Sequence, residues 1–80
     1  MLELSRKGDY ALRAVIYLSR LANDRYGRVS EIAKAKEIPQ AFLAQILPLL
    51  ASRGVVRSHQ GAHGGYALAR KPSEITFLEV

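Results

Sequence analysis

The sequence predicts a mostly α fold closed by a small β-hairpin, three helices and then two strands, with the start of a further helix at the C-terminus. Three observations carry that expectation. Apolar residues recur at helical spacing in two long stretches, around residues 11–21 and 42–50. From Val55 the period changes to two. Between the two alternating stretches, Gly61, Gly64 and Gly65 mark a turn.

Ser5 is placed to cap a first helix running through Ala22, along which Ala11, Ala14, Val15, Leu18 and Leu21 form one apolar stripe. Tyr10, Leu12, Ile16 and Tyr17 form a second stripe, leaving little polar surface beyond Asp9, Arg13 and Arg20. One stripe suffices for a small core, so the excess points to cover by a partner chain or by a further segment.

Residues 23–28 are polar, contain Gly27 and read as a loop. Ser30 then caps a short helix carrying Ile32, Ala33 and Ile38. After Glu37, Pro39 redirects the chain, and a third helix spans residues 40–53 with Phe42, Leu43, Ile46, Leu47 and Leu50 on its apolar side. Gly54 ends it. Pro48 removes one backbone hydrogen bond and crowds the carbonyl four residues earlier, which predicts a kink or an early end to regular helix.

Val55, Val56, Arg57 and Ser58 lead into the glycine turn, and Tyr66, Ala67, Leu68 and Ala69 lead out, as in a β-hairpin. Beyond Pro72, Thr76 and Glu79 have the spacing of a capping box at a helix start. Residues 1–80 thus read as one domain at the front of a longer polypeptide.

A domain of 80 residues buries only roughly 60% of the surface its unfolded chain exposes, so a partner chain would help it. Twelve Lys and Arg against seven Asp and Glu give a net charge of +5, the electrostatic footprint of a protein that meets a polyanion. With no cysteine, the chain has neither a disulfide framework nor a thiolate metal site, which fits a cytoplasmic protein. No apolar run is long enough to cross a bilayer, and there is no signal peptide.

Helix, short helix, break, helix and glycine-tipped hairpin is the order of a winged helix-turn-helix, whose second paired helix enters the DNA major groove while the hairpin, or wing, reaches the backbone or minor groove. Winged helices also dock proteins, so a protein-interaction module is the alternative. An enzymatic reading is poor. There is no paired-carboxylate arrangement and no Cys nucleophile, and nothing in the spacing of Asp9, Ser30 and His59 brings them together.

The segments "LSRKGDYALRAVIYL", "VSEIAKAKEIP", "FLAQILPLLASRGVVRS" and "GGYALARKPSEITFLEV" resemble, in order and spacing, the DNA-binding half of the Rrf-two family, winged-helix bacterial regulators that include the IscR and NsrR types. The resemblance covers essentially the whole chain. It implies a homodimeric transcription regulator on double-stranded DNA, held together by a long helix beyond Val80.

The glycine turn does not fit a phosphate-cradling P-loop, because Gly64 and Gly65 are followed by Tyr66 and a strand instead of Lys, a hydroxyl residue and a helix. Glycines here supply positive φ at a hairpin tip and let the backbone approach another surface. On the resemblance that surface is DNA, met by Gln60, Gly61, His63, Gly64 and Gly65. Relatives often carry Arg at the start of the wing, where this chain has Gln60, which implies a weaker electrostatic contribution. His59 and His63 have a zinc-like spacing, but the turn is not helical and no further ligand stands nearby.

The resemblance also places groove contacts at Ala41, Phe42, Ala44 and Gln45. Gln45 has an independent warrant, since its amide can pair bidentately with adenine. Phe42 could equally be core. Arg6, Lys7, Ser30 and Arg57 are candidates for phosphate contacts. In some relatives an iron-sulfur cluster is held by three cysteines beyond this domain and an acidic residue of the first helix, the position of Asp9; the competing reading is a solvated first-turn carboxylate facing the helix dipole. No cofactor is expected within these residues themselves.

Overall fold

The computed structural model describes residues 6–21 and 25–71. Three helices, α1 (Arg6–Ser19), α2 (Val29–Lys36) and α3 (Gln40–Ser52), precede two strands, β1 (Val56–His59) and β2 (Gly65–Leu68). Ser5, Ala22, Asn23, Pro72 and the Thr76/Glu79 capping box lie outside the described residues.

In α1 the buried residues are Ala11, Ala14, Val15 and Leu18, the stripe that helical spacing predicts. The helix stops at Ser19, short of the expected Ala22. Arg20 and Leu21 donate to carbonyls three residues back, those of Tyr17 and Leu18, and this tighter winding ends the helix.

Helix α2 begins at Val29 with Arg28 as its N-cap residue, and no side chain caps it. Ser30 is therefore inside the first turn, not the cap. The reason is upstream: Gly27 forms an isolated antiparallel bridge with Tyr66, so extended chain continues to Arg28. Two reciprocal backbone bonds of 2.7 and 2.8 Å hold that bridge, and part of the expected loop is in effect a third edge of the wing.

Both helix-turn-helix helices end in left-handed turns. Glu37 sits at φ 53°, and the Ile38 N–H reaches back to the Ala33 carbonyl. After α3, Gly54 sits at φ +75°, with Gly54 donating to Ala51 and Val55 to Leu50 in the pattern of a Schellman motif. The early end expected at Pro48 does not occur, since α3 runs on to Ser52. Pro48 and Ala44, whose carbonyl it leaves without a helical donor, are both exposed, where water can take the place of the missing N–H.

Strands β1 and β2 pair antiparallel from Val56 opposite Leu68 to His59 opposite Gly65. Val55, expected in the strand, is instead fully buried in the core just before it. Ile32, Leu43, Ile46, Leu47 and Val55 form the centre of that core, so α2, α3 and the start of the wing close on the α1 stripe.

Candidate nucleic-acid interface

Helix α3 is two-sided. It buries Leu43, Ile46, Leu47 and Leu50 and exposes Ala41, Phe42, Ala44 and Gln45. The periodicity that anchors the helix therefore presents the four predicted contact residues outward. Phe42, 37% exposed, is not a core residue; its ring meets Tyr10 edge to face at 5.3 Å, so one flank rests on α1 while the other faces out.

Tyr10 belongs to a small cluster around Arg13. The guanidinium lies 5.1 Å from the Tyr10 ring, donates to the Lys36 carbonyl at 3.3 Å and pairs with Asp9 at 2.5 Å one helical turn away. The bond to Asp9 pushes the Arg13 pKa above its ordinary value. Asp9 is thus engaged within α1, and Arg13 links α1 to the end of α2.

These residues do not by themselves make a cluster site. The chain has no thiolate. Among the described residues no three His, Cys, Asp or Glu side chains are grouped to hold a metal ion.

In the wing, Gln60, Gly61 and His63 are exposed at the tip, whereas Gly64 is buried. A Cβ on Gly64 would strike the His59 carbonyl, and one on Gly65, at φ +148°, would strike the Gly27 carbonyl. The close approach that these two glycines permit is thus to the chain's own backbone. Gly61, at φ +127°, has open space around it.

The exposed Arg57 of β1 lies 5.7 Å from the Tyr26 ring, which stacks on His59 with centroids 5.0 Å apart. Ser30 is exposed in the first turn of α2. Arg6 and Lys7 are exposed at the start of α1, and Lys7 borders a groove with Leu49 and Arg53 at the far end of α3 from Ala41.

Sequence patterning did not single out Tyr26, Arg28, Arg25 or Lys71. Arg28 donates to the Ala62 carbonyl at the wing tip. Arg25, Arg57, Arg70 and Lys71 gather around a shallow cavity of about 280 Å³ between the end of α1 and the base of the wing. Residues 25–28 carry no strand-length alternation, so the signal for their pairing is weak.

Two helices joined by a left-handed turn, packed on α1 and followed by a β wing, define a winged helix-turn-helix domain. Residues 4–80 match the Rrf2 family, described as "Iron-dependent Transcriptional regulator", and the chain belongs to that family of transcription regulators. It is 46% identical over 71 residues to a protein of Aquifex aeolicus (strain VF5) named as an HTH-type transcriptional regulator, covering 89% of this chain and 49% of that one.

Among solved structures it is similar to CymR, the global cysteine regulator of Bacillus subtilis, with a TM-score of 0.91 and 33% identity over 99% of this chain and 61% of that chain. It is also similar to IscR of T. potens, with a TM-score of 0.88 and 32% identity over 98% of this chain and 57% of the other. The chain spans about half the length of the curated relatives it matches. No helix of the described residues is long and apolar enough to cross a membrane.

Proposed function

We propose that residues 1–80 are the DNA-binding domain of a cytoplasmic transcription regulator that acts as a homodimer on a two-fold symmetric duplex site. The observation that carries this reading is the two-sidedness of α3: core residues hold it in place while Ala41, Ala44 and Gln45 face outward and Phe42 turns one flank out from its contact with Tyr10. In the major groove, Gln45 would read a base edge and Ala41 and Phe42 would meet thymine methyl groups. The exposed wing tip, Gln60, Gly61 and His63, would lie against the neighbouring backbone, with Gly64 and Gly65 shaping the hairpin behind it. Arg6, Lys7, Ser30 and Arg57 would contact phosphates, which orient the protein without reading sequence.

The signal that controls the regulator would be received outside these residues, an iron-sulfur cluster being one candidate toward which Asp9 could contribute a carboxylate once released from Arg13. The deciding test is selection of bound sequences from a random duplex pool, followed by titration of the selected duplex across salt. A specific site should emerge, and affinity should fall steeply as salt rises, because each neutralised phosphate releases counterions. Affinity indifferent to salt, or no enriched site, would instead favour a protein-docking winged helix.

A further inference from the structure

The segment before α2 is tied to the wing at three levels. Gly27 exchanges backbone bonds with Tyr66 in the middle of β2, and the Tyr26 ring stacks on His59 at the end of β1. Arg28 reaches furthest, donating from Nη2 to the carbonyl of Ala62, 34 residues away in sequence. The β ladder has already ended at the His59/Gly65 pair, and within the tip the Gly64 N–H bonds to the Gly61 carbonyl. The tip therefore projects beyond the ladder, and Arg28 joins it to the rest of the domain.

The other end of that link is equally defined. Arg28 is the N-cap residue of α2, held at φ −79° and ψ 153° next to the Gly27 bridge, and α2 leads through the Glu37 turn into α3. A guanidinium suits the task, because it is always charged and carries several donors at the end of a long side chain.

We propose that Arg28 is a positioning residue: its bond to the Ala62 carbonyl ties the wing tip to the start of α2, so that tip and recognition helix engage the duplex together. This role rests on the DNA-binding reading above. It differs from a phosphate contact, since the charge acts on the protein's own backbone and neutralises no phosphate.

The test compares the native-length protein with its Arg28→Ala variant on a duplex enriched by the wild type, titrated across salt. Affinity should drop roughly twofold to fivefold, the scale of one charge-assisted hydrogen bond weakened by exposure to solvent. The slope of log affinity against log salt should not change. In the free protein, amide exchange should quicken at residues 60–64, while the thermal midpoint stays nearly constant because the residue is exposed.

A slope shallower by about 0.9 would make Arg28 a phosphate ligand and overturn the proposal. So would affinity equal to the wild type, or exchange quickened throughout the chain together with a lower thermal midpoint. If the wild type enriches no duplex, the DNA-binding reading itself fails, and this role fails with it.

Discussion

Gln45 and Gly65 sit in opposite settings, one exposed on a helix and the other enclosed by backbone. Gln45 stands exposed on α3 between turns anchored by Leu43 and Ile46, so its removal disturbs no core contact. Gln45→Ala should leave the fold intact and weaken binding to the enriched duplex by about 1–3 kcal/mol, with selectivity reduced. Equal losses on enriched and random duplexes would show that it reads no base. Gly65 is the opposite case, since its φ of +148° and the Gly27 carbonyl beside it leave no room for a side chain. Gly65→Val should lower stability by roughly 1–3 kcal/mol in thermal unfolding, as a β-branched residue is forced into strained backbone. An unchanged midpoint would remove the strain argument. The need for glycine there was legible from the sequence; its cause, the Gly27 bridge, was not.

Among the elements, α3 shows where local rules mislead. Its start and its Gly54 stop follow from composition, yet Pro48 does not end it. A proline inside a helix costs about 3 kcal/mol relative to alanine, and here buried Leu47 and Leu50 on either side hold the helix together. Pro48→Ala should therefore raise stability, by up to roughly 3 kcal/mol, seen as a higher denaturant midpoint. A lower midpoint would mean that the ring makes contacts worth more than the restored hydrogen bond. Helix α2 gives a second example. Ser30 is a good capping residue by type, but pairing of Gly27 with Tyr66 brings extended chain up to Arg28 and starts the helix earlier than the capping pattern suggests.

At the scale of the whole molecule, α1 and α2 are tied by a polar contact as well as by the core. The Tyr17 hydroxyl donates to Glu31 at 2.5 Å, and Arg25 pairs with the same carboxylate oxygen at 3.1 Å. The Tyr17 phenol is raised above its ordinary value of 10.0, first by the hydrogen bond to Glu31 and then by burial. A raised folded pKa means that the neutral phenol stabilises the fold, fully so below pH 10.0, and that this contribution is lost as pH rises through the folded value. Tyr17→Phe should lower stability at neutral pH by about 1 kcal/mol, a figure reduced for partial exposure. The gap between variant and wild type should close in alkaline solution, as urea unfolding at the two pH values can show. A constant gap would mean that the hydroxyl contributes nothing that titrates.

Local residue patterns were enough for the order of helices and hairpin, for most of the face that α1 and α3 bury, for the positive φ of Gly61 and Gly65 though not for Gly64, which has none, and for the family. These depend on residues close together in the chain, where periodicity and turn chemistry act directly. It took the packed fold to bring residues 25–28 to the wing, Arg28 to the Ala62 carbonyl, Phe42 against Tyr10, and basic side chains together at the wing's base. What separates the two groups is distance along the chain. Gly27 and Tyr66, Arg28 and Ala62, and Tyr10 and Phe42 meet only after the core has closed, and no local pattern records which of many polar or aromatic residues will then be neighbours.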